Sequence, residues 1–177
     1  MKKVAFVFVL FFFLSLLNNA QAQDYKSAIG GKLGYGLIGS YKYFLNEKSA
    51  LDIFGGITWN GGFAVGAFYQ YHMPIPGVDR LKWFVGGGGS FFSYHYGTIY
   101  GLGLGRYTEL GISGNLGLDY SFNDFPLNLS LDWAPTAVVI SSFDSNYNKV
   151  KRFRSGYGAL TVRYILSGHR KTEKVSK

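Results

Sequence analysis

The stretch Leu127-Asn128-Leu129-Ser130-Leu131-Asp132-Trp133 decides the fold. Apolar and polar residues alternate strictly through it, and a period of two places successive side chains on opposite faces of a strand. One face carries Leu127, Leu129, Leu131 and Trp133; the other carries Asn128, Ser130 and Asp132. Upstream, Leu110, Ile112, Leu116, Leu118, Tyr120 and Phe122 oppose Glu109, Ser113, Asn115, Asp119 and Ser121. Downstream, Leu160, Val162 and Tyr164 oppose Thr161 and Arg163. Beyond the first segment no stretch has helical periodicity, and 25 glycines argue against a helical bundle.

Turn signals divide the chain into eight such segments, at 27–36, 39–46, 50–58, 62–72, 81–93, 107–122, 126–138 and 155–166. The connectors Asn46-Glu47-Lys48, Met73 to Arg80 and Asn123-Asp124-Phe125-Pro126 are short or stiff. Those at 93–107 and 139–154 are long and belong to the opposite end, with short connectors at Leu37-Ile38 and Trp59–Gly61. An even number of antiparallel strands, with short turns at one end and the long loops at the other, predicts an all-β fold: an eight-stranded up-and-down transmembrane β-barrel. The length of 177 residues fits one domain. With 19% aromatic and 16% charged residues the bulk of the chain is not disordered. The absence of cysteine excludes disulfides, thiolate metal sites and a lipidated N-terminal cysteine.

Lys2 and Lys3, the apolar run Val4 to Leu17 and then Ala20-Gln21-Ala22 have the order of a secretory signal peptide. The run is too short for a membrane-spanning helix. The predicted organisation is a signal peptide over 1–22 cleaved after Ala22, a barrel over 23–166, and a basic, disordered periplasmic tail over 167–177. Removing Lys2 and Lys3 lowers the formal charge from +8 to +6.

Alternation alone leaves the inside face open, since a lipocalin also has eight strands but turns its apolar face inward. Two features favour a polar lumen and a lipid-facing apolar wall. Tyr43, Tyr71, Trp83, Tyr120, Phe122 and Tyr164 fall near the short-turn end, as an aromatic girdle at a membrane interface does. The polar face carries Lys32, Lys42, Lys82 and Arg163 with Asp52, Glu109, Asp119 and Asp132, a set that can neutralise itself inside a closed wall. Closure also satisfies every backbone donor and acceptor in a bilayer and leaves no strand edge.

The signal peptide, eight alternating strands and final aromatic strand resemble the small outer-membrane barrels of Gram-negative bacteria: the OmpA membrane domain, OmpX and the opacity proteins. Pro126-Leu127-Asn128-Leu129-Ser130-Leu131-Asp132-Trp133-Ala134-Pro135 looks like the seventh-strand signature of a poorly characterised branch of that superfamily. Tyr41-Lys42-Tyr43-Phe44-Leu45-Asn46-Glu47-Lys48 is similar to its second strand and turn. The resemblance covers the mature chain, except that Ser167 to Lys177 extend past the aromatic strand where family members often end. It implies a Gram-negative outer-membrane location and insertion by the barrel-assembly machinery.

An interior just wide enough for side chains makes an open pore unfavourable. The leading expectation is a monomeric, non-enzymatic barrel serving membrane structure and integrity, or surface interaction through its long loops. The second is an outer-leaflet enzyme that deacylates or acylates lipid A, which needs a base beside a nucleophile at the outer rim. His95 with Ser93 and Glu109 is the weak candidate set, and the His-x-Ser pattern of the deacylases is absent: Tyr96-Gly97 follow His95, Met73-Pro74 follow His72. His72 reads as a polar rim residue and His169 as part of the tail. A soluble exported barrel carrying a lipophilic ligand is the third. Gly86-Gly87-Gly88-Gly89 marks a barrel corner, room for a neighbour such as Phe68, or a small acyl pocket. The fourth loop, with Lys149, Lys151, Arg152 and Arg154 against Asp144, is a candidate contact for lipopolysaccharide phosphates. Export argues against nucleic acid, no residue cluster has metal-ligand spacing, and no cofactor is expected.

Overall fold

The computed structural model describes residues 24–96, 105–142 and 153–168. Its strands are β1 (Ser27–Leu33), β2 (Gly36–Phe44), β3 (Ser49–Thr58), β4 (Phe63–Pro74), β5 (Leu81–Tyr96), β6 (Gly105–Ser121), β7 (Leu127–Trp133), β8 (Thr136–Ser141), β9 (Phe153–Arg154) and β10 (Gly158–Ser167). They pair antiparallel in the order β5-β4-β3-β2-β1-β10-β7-β6-β8-β9, and a β5–β6 ladder closes the wall. Ten strands make eight staves, because β8 continues β7 along β6 and β9 continues the last stave above β10. The break between β7 and β8 falls at Ala134-Pro135, where proline has no N–H to give the ladder. The Pro135 carbonyl still accepts from the Gly114 amide at 2.9 Å, so β6 runs on unbroken.

The wall is staggered. A circuit through paired residues leaves β6 at Leu118 and passes Leu131, Leu160, Leu33, Leu37, Ile57, Phe63 and Ser93. It returns to β6 at Thr108, ten residues along the strand. With eight staves such a stagger tilts the strands by about 40° and leaves a lumen that side chains fill.

The first connector differs from expectation. Leu37 and Ile38 lie inside β2, Leu33 pairs directly with Leu37, and the chain turns at Gly34-Tyr35. Glycine is required there: a Cβ on Gly34 would stand 2.0 Å from the Gly158 carbonyl oxygen. The long-loop end also differs, since β5 and β6 continue to Tyr96 and Gly105. One side of the barrel is therefore taller than the β1–β4 side, whose turns come early.

Inward and outward faces are the reverse of a water-soluble barrel. Ile29, Ile53, Ile57, Val65, Leu116, Leu131 and Val162 are exposed on the outside, with Ile112 reaching 67%. Lys32, Lys42, Asp52, Asp119, Asn128, Thr161 and Arg163 are buried inside.

Candidate functional site

The interior is layered. At the short-turn end Tyr25, Ala28, Phe44, Ala50 and Ile165 form an apolar floor. Above it lies a charged layer whose members come from alternate positions of six staves. Arg163 on β10 lies 2.9 Å from Asp52 on β3; its Nε donates to Ser40 at 2.9 Å and its Nη1 to Ser130 at 2.7 Å. Lys32 bridges Asp52 and Asp132, at 3.3 Å from each. Lys42 lies 2.6 Å from Asp119, which also accepts from Asn128 Nδ2 at 2.6 Å. Arg163 Nη1 to Asn128 Oδ1, at 3.3 Å, joins the two halves. Three cations and three carboxylates cancel here. That balance matters because charges removed from water cost several kcal/mol each unless paired and hydrogen-bonded.

A second apolar layer caps the charges. Ile38, Phe54, Ala64, Phe68, Phe92 and Ala134 pack together, with Tyr35, Tyr94 and Tyr157 against them. Lys32 Nζ sits 5.3 Å from the Phe54 ring and 5.8 Å from the Phe68 ring, so the cap also receives the cation through its π faces. At the tall mouth Arg154 on β9 donates to Glu109 on β6, and Tyr107 donates to the same carboxylate oxygen at 2.6 Å.

Six of the eight charged residues expected in the lumen meet in the middle layer. Lys82 does not; it pairs with Asp24 at 2.8 Å across the short-turn mouth. Glu109 does not either, being held at the other mouth by Arg154. Arg154, expected on lipopolysaccharide phosphate, has its guanidinium turned to this carboxylate instead. Lys149, Lys151 and Arg152 lie outside the described residues.

The candidate catalytic set is divided by the wall. Phe92 and Tyr94 face inward, so Ser93 between them falls on the outward positions of β5, whereas Glu109 is buried inside on Tyr107 and Arg154. Ser93 is fully buried and its Oγ has no hydrogen-bond partner among the described residues. The His95 backbone pairs with Arg106 in the β5–β6 ladder, and its side chain is outside the described set, as is His169. His72 is no rim residue: it is 1% exposed, its ring lies 4.8 Å from Phe44 and 5.0 Å from Phe84, and Nε2 is 3.4 Å from Lys42 Nζ. The inward glycines of the run face backbone. A Cβ on Gly86 would lie 2.1 Å from the Tyr69 carbonyl oxygen, and one on Gly88 1.9 Å from that of Ala67, so backbone occupies the space. No group of His, Asp and Glu among the described residues could hold a metal ion.

Outside, Tyr43, Tyr71, Trp83, Tyr120 and Tyr164 lie on outward positions near the short-turn end, and Phe122 follows β6, its ring 5.0 Å from Tyr120. A second aromatic rim stands at the opposite end: Trp59, Phe63 with Phe91 at 5.6 Å, and Phe153, of which the sequence pointed to Phe153 alone. Trp59 Nε1 donates to the Gly34 carbonyl at 2.7 Å, tying the rim to the first turn. Phe63 and Phe91 continue the outward period-two pattern of β4 and β5, which is the signal that marks them.

No protein-family model matches the chain, and no curated protein matches it. Among solved structures it is similar to the crystal structure of the N-terminal β-barrel domain of Pseudomonas aeruginosa OprF, with a TM-score of 0.54 and 23% identity. The match covers 81% of this chain and 98% of that one. The chain shares with that domain the fold of a closed eight-stranded antiparallel barrel.

Proposed function

We propose that this protein is a monomeric, non-enzymatic outer-membrane barrel of a Gram-negative bacterium, closed to solute flow, serving membrane integrity or surface contact through its long loops. The observation that carries the reading is the outward apolar band bounded by an aromatic rim at each end, around a charged interior. A bilayer accepts that wall, and water does not. The two apolar layers above and below the charges support closure. The order of basic, apolar and Ala-Gln-Ala residues over 1–22 supports a signal peptide and export, and a closed barrel in the outer membrane would be inserted by the barrel-assembly machinery. Lys149, Lys151 and Arg152 remain the candidates for lipopolysaccharide phosphates. The deacylase reading loses its acid, because Glu109 lies behind the wall from Ser93 and is committed to Arg154.

Two measurements test this. Cell fractionation should recover the protein with the outer membrane, released only by detergent; recovery in the soluble fraction would overturn the membrane placement. Mass spectra of lipid A should be identical with and without the protein, and a gained or lost acyl chain would make it an enzyme.

A further inference from the structure

The three residues before β1 do not trail away from the barrel. The Lys26 amide donates to the Ser167 carbonyl at 2.8 Å, and the Lys26 carbonyl accepts from the Phe44 amide at 2.9 Å. These bonds continue the ladders of β1 and turn the preceding residue inward. Tyr25 is 2% exposed, its ring meets Phe44 edge-on at 5.0 Å, and its hydroxyl lies 3.4 Å from an Asp119 oxygen. Asp24 then reaches Lys82 at 2.8 Å. Lys82 is on β5, four staves from β1 around the wall, so the ion pair crosses the mouth from one side to the other. A segment outside the strands is ordinarily loose unless something ties it down. Asp24-Tyr25-Lys26 is tied by two backbone bonds, a buried ring and a transverse ion pair.

We infer that Asp24-Tyr25-Lys26 is a strap that stops the short-turn mouth and shuts water out of the charged layer. Tyrosine suits the place: the ring fills the opening above Ala28, Ala50 and Ile165, and the hydroxyl ends on a carboxylate instead of burying an unpaired donor. Burial, with Asp119 beside it, holds that hydroxyl well above its ordinary pKa, so it stays a donor. Directly behind it are Lys42, His72 and Asp119, where a buried His72 Nδ1 has no hydrogen-bond partner among the described residues. The stopper acts on the mouth itself, whatever surrounds the wall.

The chain has no cysteine, so an introduced one reports alone. Ala50→Cys sits against Tyr25 in the floor, and Ser90→Cys sits inside, on the far side of the charged layer. The full chain in detergent is treated with a charged methanethiosulfonate reagent. Adding Tyr25→Ala should raise the labelling rate at position 50 on the order of tenfold or more, with position 90 unchanged. Tyr25→Phe, which keeps the ring, should restore most of the protection. An unchanged rate at position 50 overturns the stopper. So does an equal rise at both positions, which would make Tyr25 a support of the whole barrel, or Tyr25→Phe labelling as fast as Tyr25→Ala.

Discussion

Arg163–Asp52 and Arg154–Glu109 are arginine–carboxylate pairs of the same chemistry in different surroundings. Arg163 and Asp52 are each 1% exposed and embedded in a hydrogen-bonded layer with Ser40, Asn128 and Ser130. Arg154 at the mouth is one-third exposed, while its partner Glu109 is buried. The first pair has no route to water if broken. The second has one on the arginine side alone. Burial, rather than the ion pair itself, sets what each is worth, and the mouth pair should respond asymmetrically to loss of one or the other member.

The largest effect is expected from Asp52→Asn. It leaves Arg163 and Lys32 short of a counter-charge inside the wall and should cost about 3–5 kcal/mol in urea unfolding from lipid vesicles. Adding Arg163→Met should recover part of that loss, and further damage from the double change would mean the layer is not one coupled unit. Next comes Val162→Arg on the outward face beside Leu129, which should cost about 2–4 kcal/mol near midplane. A change near zero would reverse the assignment of faces. At the mouth Arg154→Met takes the counter-charge from the buried Glu109 carboxylate, leaving it the Tyr107 hydroxyl, and should cost about 1–3 kcal/mol. Glu109→Gln frees an arginine that can turn to solvent and should cost about 1 kcal/mol or less. Equal costs for the last two would remove the contrast between the pairs.

Period two made the faces legible: the charged residues placed inside by alternation, from Lys32 to Arg163, are all buried, because a strand in a closed wall has no third direction. The layering was not legible. Phe54, Phe84 and Phe92 occupy inward positions that a polar lumen does not lead one to expect, whereas Phe68 is the lumen neighbour for which the glycine run leaves room. The close neighbours are known only from register and packing. Phe68 pairs with Gly88, a Cβ on Gly66 would lie 2.5 Å from the Phe54 ring, and one on Gly117 2.5 Å from the Phe84 ring. Glu109 and Arg154 are likewise brought together by the β6–β8–β9 ladder across a long loop. Tyr25 lay outside every predicted strand, so alternation had no say in where it points.

The central claim is that the apolar wall faces lipid, and its three tryptophans test it at different depths. Trp83 belongs to the short-turn rim and Trp59 to the opposite rim. Trp133 pairs with Leu116, between Tyr120 near one rim and Leu110 near the other. Single-tryptophan variants in vesicles of brominated phospholipid should separate them. Bromine deep in the acyl chain should quench Trp133 most, and bromine near the headgroup should quench Trp59 and Trp83 most. Little quenching at any bromine depth for all three would contradict the account, because the wall would then be facing water.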